Sequence, residues 1–283
     1  MERRTDAQMF GMLLSFARED SRVRAVWMNG SRANPNAPAD RWQDFDIVYA
    51  VTEMDSFLSD DSWVDRFGER AMMQTRRDQY DSYGPGETAD YSDWFIYLMQ
   101  FADGNRVDLS LVPAENAAEA VLSDKMCVVL LDKDGLLPPV PPATDEDYRA
   151  GLPTPLEFRC SVNEFWWVSG NVDKGLRRGE VSYAQEMLGI VREELLRMLT
   201  WKAALRGPLN PGKCGKFLPR FLPAEDWAAF CETYARGDCA DIRRAMEAGW
   251  SLFSRVCREV GGKAGFPVNE AAEAAALAYL RRA

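Results

Sequence analysis

The chain has 283 residues, 47% of them hydrophobic, and 44 Asp and Glu against 34 Lys and Arg give it a net charge of −10. This length predicts about two domains with packed cores, and the acidic balance disfavours a nucleic-acid partner while favouring cationic small molecules. Histidine is absent, which excludes Ser–His, Cys–His and histidine–metal mechanisms and leaves proton transfer to carboxylates, Lys, Tyr, Cys or water.

The amino-terminal region predicts a helix followed by a strand. Thr5 and Gln8 match a capping box, and apolar residues follow at helical spacing until about Asp20. Residues 1–6 lack the apolar core of a secretory signal, and the sequence contains no run of about 18 apolar residues. We therefore expect a cytoplasmic protein without a membrane span.

Residues 26–51 carry the side chains that point most directly to chemistry. They predict a strand, the turn Gly30-Ser31, a polar loop, and a second strand on which Asp44 and Asp46 share one face. Two carboxylates at a strand end can hold Mg²⁺, which prefers oxygen ligands and shares them with substrate phosphates. The glycine turn can bring backbone N–H groups and a hydroxyl close to those phosphates.

A third carboxylate is predicted on a neighbouring strand. In chain order, the pattern predicts an amphipathic helix, a polar loop, two hairpin strands and a short last strand at residues 55–70, 76–93, 94–101, 105–112 and 126–131. The hairpin turns at Asp103-Gly104. Alternation places Asp108 on the polar face of the return strand, which could lie beside the strand bearing Asp44 and Asp46. Together the three aspartates predict a catalytic metal site.

The rest of the chain predicts a second, helical domain. A proline-rich linker at residues 136–155 separates a domain of residues 1–135 from one of residues 156–283. Helical periodicity is present at residues 156–174, 182–205, 224–235, 241–260 and 269–282. The predicted fold class is α+β, with a mixed sheet flanked by helices followed by an all-α domain. The six cysteines form no Cys-x-x-Cys pair, which predicts reduced thiols.

Candidate ligand-binding residues also lie outside the aspartate motif. Lys213 and Lys216 could reach a triphosphate, although their segment fails as a P-loop because Cys214 stands where Ser or Thr is required. Glu164 adjoins an aromatic cluster, where a carboxylate is expected to be partly buried and could contact the substrate. Glu87 lies in the polar loop, where it could bind cationic groups.

The aspartate motif resembles a known enzyme signature. Gly30-Ser31, Asp44-x-Asp46 and Asp108 resemble the signature of the polymerase-β-like nucleotidyltransferase superfamily. More closely, five segments resemble the aminoglycoside 6-adenylyltransferases, the streptomycin-modifying family, at residues 25–32, 43–49, 98–101, 103–109 and 163–168. The similarity runs over nearly the whole chain.

The resemblance implies a nucleotidyltransferase domain followed by a helical domain, and transfer of AMP from ATP to a hydroxyl of streptomycin with release of pyrophosphate. It implies that Asp44, Asp46 and Asp108 are catalytic and hold Mg²⁺, with Asp108 completing a second metal site or accepting the proton of the attacking hydroxyl. Gly30 and Ser31 then bind the triphosphate.

Three further expectations accompany this assignment. Arg32 joins the nucleotide-binding candidates, and Trp94 joins Glu87 and Glu164 as candidate contacts of the substrate. A cationic aminoglycoside suits an acidic protein, because carboxylates form bidentate ion pairs with guanidinium groups such as those of streptomycin. Two alternatives stay open: a nucleotidyltransferase with another small-molecule or protein acceptor, and a catalytically silent nucleotide-binding module.

Overall fold

The computed structural model describes residues 2–79 and 90–282, which form two compact units that divide between Asp147 and Tyr148. The first unit contains the sheet and the second is helical, so the predicted α+β class is confirmed. The division falls inside the predicted linker, although Leu136, Leu137 and Val140 pack against the core of the first unit. The domain bounds given above stay a prediction.

A mixed sheet forms the centre of the first unit. Within the described ranges its strands are β1 (Val23–Asn29), β2 (Phe45–Val51), β3 (Arg70–Thr75), β4 (Phe95–Phe101), β5 (Arg106–Pro113) and β6 (Val128–Asp132). Their order across the sheet is β3-β4-β5-β2-β1-β6. The central pair β2 and β5 is parallel, and the other neighbouring pairs are antiparallel.

Alternation along β2 decides which side chains reach the site. Phe45, Ile47 and Tyr49 are buried in the larger core of this unit, where α1 (Asp6–Glu19) covers one face of the sheet with Met9, Leu13 and Phe16. Val48 and Ala50 belong to a smaller cluster on the opposite face, together with residues of α3 (Ala117–Leu122). Asp46 precedes Val48 by two residues, so its side chain projects to that second face.

The structure of the first unit differs from the prediction in four places. The amphipathic helix predicted over residues 55–70 is a short α2 (Asp55–Leu58) and a 3₁₀ segment at Asp61–Phe67, which is followed by the unpredicted strand β3. This strand lies at the edge of the sheet and leaves most of its side chains exposed, so its sequence lacks the alternation that marks a half-buried strand. Helix α3 was also missed, and β2 begins at Phe45, one residue after Asp44.

The second unit consists of the predicted helices, with shifted ends. They are α4 (Pro155–Arg178), α5 (Val181–Ala204), α6 (Ala224–Cys231), α7 (Cys239–Ala264) and α8 (Glu270–Leu280). Helix α4 begins at a capping box between Thr154 and Glu157 and ends at Gly179, whose positive φ closes the last turn. In the core, the ring of Phe165 on α4 stacks on Phe253 of α7 at 3.6 Å.

An ion-pair network is enclosed between α5, α6 and α7. Asp226 has no solvent exposure, and its carboxylate contacts Lys202 Nζ and Arg255 Nη1, each at 2.6 Å. Lys202 also contacts Glu259 at 2.6 Å. Burial by itself would raise the pKa of Asp226, but the hydrogen bonds with Lys202 and Arg255 outweigh it and lower that pKa. The charge of Asp226 is therefore part of the folded state.

Two further expectations concern the chain as a whole. All six cysteines are free thiols, as their spacing predicts. Among the helices at residues 2–79 and 90–282, none is both long and apolar enough to cross a membrane.

Candidate active site

Three polar side chains form a row across the centre of the sheet. Asn29 at the end of β1 pairs with Asp46 on β2, and Asp46 pairs in parallel register with Asp108 on β5. Neighbouring strands are about 5 Å apart, so the two carboxylates are side by side on one face. The structure thus brings Asp46 and Asp108 together as the alternation of their strands predicts.

Arg106 joins this row and connects it to Asp44. Its guanidinium forms a bidentate ion pair with Asp108, here called the fork, in which Nε lies 2.8 Å from Oδ1 and Nη2 lies 2.9 Å from Oδ2. The same Nε lies 3.6 Å from Asp44 Oδ2. Sequence reasoning missed Arg106, although it precedes Asp108 by two residues and alternation already places both on one face. All three predicted aspartates therefore belong to one charged cluster.

The charges of this cluster act on Asp46. Burial raises the pKa of Asp46 to about 6, and the negative charges of Asp108 and Asp44 add to the effect, while Arg106 and Arg32 oppose it. A hydrogen bond to Asp108 raises the pKa of Arg106, so its positive charge is secure. Two negative charges therefore lie close to the partly buried carboxylate of Asp46, and a bound cation would reduce this repulsion.

The Gly30 turn is built around the carboxylate of Asp46. Gly30 begins a 3₁₀ turn through Arg32 and has a φ of +74°, in the left-handed region that favours glycine. A Cβ added at Gly30 would lie 2.8 Å from Cγ of Asp46 and closer still to its Oδ2. Only glycine leaves room for the turn beside the carboxylate.

Gly30→Ala is expected to destabilise the first unit by roughly 1–2 kcal/mol from backbone strain alone, and to displace the side chain of Asp46. The nucleotidyl transfer that the sequence resemblance implies should be largely lost in this variant, because the displaced carboxylate is the one at the centre of the row. Thermal unfolding and pyrophosphate release measure the two effects. Gly11→Ala is the matched control, since a Cβ at Gly11 in α1 meets nothing within 4 Å. Equal activity of the two variants would contradict this prediction.

Arg32 fastens the turn to the segment that carries Asp44. Its Nε and Nη2 each lie 3.1 Å from the carbonyl oxygens of Asp44 and Gln43, and its Nη1 lies 2.6 Å from Asp6 Oδ2. Gln43 Nε2 in turn donates to the carbonyl oxygen of Ser31 at 3.1 Å. These contacts hold the backbone on both sides of the site. The predicted contact of Arg32 with nucleotide stays a prediction.

The polar row and the neighbouring Asp44 carry ligand atoms of the kind that Mg²⁺ prefers. Asp44, Asp46 and Asp108 offer carboxylate oxygens as ligands. Asn29 is paired with Asp46 across the strands, and its buried Oδ1 accepts no hydrogen bond. As they stand, however, no three Asp, Glu, Cys or His side chains in the described part of the chain are grouped so as to hold a metal ion. Arg106 occupies both oxygens of Asp108. By donor chemistry alone, these oxygens are ligands of the kind that Mg²⁺ prefers.

The other candidate residues belong to other elements of the fold. Lys213 and Lys216 are exposed around a 3₁₀ turn in the second unit. Glu164 on α4 is exposed, so the expectation that it is partly buried is wrong; on the helix it points away from the core that holds Phe165. Trp94 is 36% exposed, with the guanidinium of Arg76 4.9 Å from its ring. Glu87 lies outside the described residues.

Known proteins are similar to this chain over both of its units. The family model described as streptomycin adenylyltransferase matches residues 3–283. An aminoglycoside 6-adenylyltransferase from Campylobacter jejuni is 39% identical over 91% of this chain and 88% of its own length. The enzyme of that name from Bacillus subtilis (strain 168) is 37% identical over 91% of this chain and 90% of its own length. A crystal structure of an aminoglycoside 6-adenyltransferase from Bacillus subtilis is 31% identical, covers 98% of this chain and 97% of that one, and has a TM-score of 0.46.

Proposed function

Because the chain belongs to the streptomycin adenylyltransferase family, we propose that it transfers AMP from ATP to a hydroxyl group of streptomycin and releases pyrophosphate. It is a nucleotidyltransferase, and its relatives support an aminoglycoside as the acceptor. The observation that carries the proposal is the parallel register of Asp46 with Asp108, beside a glycine turn with a positive φ. The free thiols of the chain agree with a cytoplasmic location, where ATP is available.

The carboxylates of Asp44, Asp46 and Asp108 would hold Mg²⁺ in this proposal, with the amide of Asn29 as a further oxygen donor. Magnesium bound there would neutralise charge on the phosphates and on the leaving pyrophosphate. Gly30 and Ser31 orient the triphosphate through backbone N–H groups and a hydroxyl, and Arg32 holds their turn in place.

The chemical step is an in-line displacement at the α-phosphorus. The acceptor hydroxyl oxygen bonds to that phosphorus, and the bond from phosphorus to the bridging oxygen of the β-phosphate breaks. The hydroxyl proton passes to a carboxylate of the row, and Asp108 is our candidate acceptor. Lys213 and Lys216 are proposed contacts of the triphosphate, and Glu87, Trp94 and Glu164 are proposed contacts of the cationic acceptor.

A transfer assay with α-labelled ATP across a panel of aminoglycosides tests this proposal directly. Streptomycin is expected to accept label in the presence of Mg²⁺, with one pyrophosphate released for each AMP transferred. Label on another acceptor only would replace streptomycin as the substrate. ATP binding without any turnover would instead support a silent nucleotide-binding module.

Streptomycin binding is expected to weaken several-fold as NaCl rises to about 0.3 M, because salt screens attraction between a cationic ligand and an acidic protein. The protein has a net charge of −10, and exposed carboxylates such as Glu164 would pair with the guanidinium groups of streptomycin. Isothermal calorimetry measures the affinity, and sucrose at matched osmolality is the control. An affinity that does not change with salt would count against carboxylate recognition.

A further inference from the structure

We propose that Arg106 is a positioning residue. Its guanidinium occupies the metal-binding carboxylates and keeps a cation from binding them until a nucleotide phosphate pairs with that guanidinium instead. This inference rests on the proposed function, because it assigns a metal-binding role to Asp44, Asp46 and Asp108. It adds an order of events: the cation and the nucleotide enter the site together, and the cation alone is disfavoured.

The first support is the way in which Arg106 engages Asp108. The two nitrogens of the fork take one carboxylate oxygen each, at 2.8 and 2.9 Å. Charge-assisted forks of this kind are among the strongest and most geometrically specific hydrogen bonds in proteins. A divalent cation needs the same oxygens at about 2.1 Å, so the cation and the guanidinium cannot both hold Asp108 in this arrangement.

The second support is the position of the guanidinium charge between the other carboxylates. Nε of Arg106 lies 3.6 Å from Asp44 Oδ2 as well as 2.8 Å from Asp108 Oδ1. Its positive charge therefore attracts both of these aspartates and repels an incoming cation. Arg106 therefore blocks Asp108 by direct contact, and its positive charge disfavours cation binding at Asp44 as well.

The third support is that Arg106 is more exposed to solvent than Asp108. Its side chain is 41% exposed, whereas that of Asp108 is 15% exposed, so the arginine has solvent space and the aspartate is held in the sheet. Arg106 is the first residue of β5, where the chain leaves the hairpin turn at Gly104. Two oxygens of a phosphate group can accept the same bidentate hydrogen bonds from a guanidinium that Asp108 accepts. Exchange of one partner for the other frees Asp108 for the cation.

Binding of Mn²⁺ to the protein without nucleotide tests the proposal, with electron paramagnetic resonance reporting free Mn²⁺. Manganese is suited to the same oxygen ligands as magnesium. Arg106→Gln is expected to bind Mn²⁺ at least about tenfold more tightly than the wild type, because one positive charge leaves the site. Arg106→Lys keeps the charge but loses the fork, so its affinity should lie between the two. Arg24→Gln is the control, since Arg24 pairs with Asp134 away from the row.

The companion variant Asp46→Asn separates the possible outcomes. Tighter Mn²⁺ binding by Arg106→Gln that is lost again in Arg106→Gln/Asp108→Asn supports the proposal. Equal affinity of Arg106→Gln and the wild type, with weaker binding by Asp46→Asn, overturns the role of Arg106 and leaves the proposed function standing. If Asp46→Asn also leaves Mn²⁺ binding unchanged, the metal assignment falls and this proposal falls with it. Circular dichroism of each variant verifies folding, and Arg106→Lys serves if Arg106→Gln does not fold.

Discussion

Asp46→Asn is expected to lower AMP transfer by about 10²- to 10³-fold, because loss of one electrostatic group at a reacting centre typically costs that much in rate. Asp46 stands in the middle of the polar row, with Asn29 on one side and Asp108 on the other. Asparagine keeps the shape of the side chain and removes the negative charge that would hold the cation. Pyrophosphate release from ATP and streptomycin measures the effect, and near-normal release would refute the assignment.

The same substitution is expected to stabilise the metal-free protein. The pKa of Asp46 is raised to about 6 from an ordinary value of 3.8, so the folded state binds a proton more tightly than the unfolded state. Stability that is present below pH 4 is therefore lost as the pH rises through 6. Asparagine has no such loss, and we expect a gain on the order of 1–2 kcal/mol at pH 8 in EDTA.

Urea unfolding at pH 8 and at pH 4 checks this sign. The gain should be present at pH 8 and absent at pH 4, where Asp46 of the wild type is protonated. Glu115→Gln is the matched control, because Glu115 is an exposed carboxylate of the same unit. A variant that loses activity together with stability at pH 8 would show that Asp46 supports the fold, which contradicts the prediction.

Asp226→Asn is expected to destabilise the helical unit by roughly 3 kcal/mol, because removal of one partner from a buried ion pair leaves the other without compensation. Lys202 has only 10% of its side chain exposed and would retain Glu259 alone, while Arg255 would lose its contact with the network. Chemical unfolding followed by circular dichroism, which is dominated by helices, measures the loss.

The dependence on pH gives this second prediction its control. The folded-state pKa of Asp226 is lowered, so its contribution is present above the ordinary value of 3.8 and is lost as the pH falls through the folded-state pKa. The difference between wild type and variant should therefore shrink in acid. Glu225→Gln, at the exposed neighbouring position, should change stability by less than about 0.5 kcal/mol. A loss of equal size in both variants would show that the network is not responsible.

The spacing of apolar residues predicts the helices and strands that bury one face. The helices of the second unit and the strands β2, β4 and β5 have such a face, and each was predicted within a few residues. β3 has a largely exposed edge-strand surface, with Met72 68% exposed, so nothing in its pattern marked it as a strand. α3 has only six residues, too few to establish a helical period.

Alternation also predicted which side chains of β2 and β5 project to the same face of the sheet, because a strand fixes which residues share a face. It placed Asp46 and Asp108 correctly, but it could not supply the parallel register that sets them opposite each other. It equally could not show that Arg106 reaches across to Asp44, since that contact depends on side-chain conformation. The expected partial burial of Glu164 is wrong for a related reason. Neighbours in sequence on a helix point in different directions, so Glu164 is exposed although Phe165 beside it is buried.

The parallel pairing of β2 with β5 sets the stage at which a newly synthesised chain can become active. During translation β2, which ends at Val51, leaves the ribosome before β5, which begins at Arg106 and pairs with it. Such distant pairings form late, because the chain between them must first lose much of its freedom. A nascent chain that ends before residue 106 carries the glycine turn and two aspartates, yet it cannot assemble the row. The polar row is therefore complete only in a chain long enough for β5 to pair with β2.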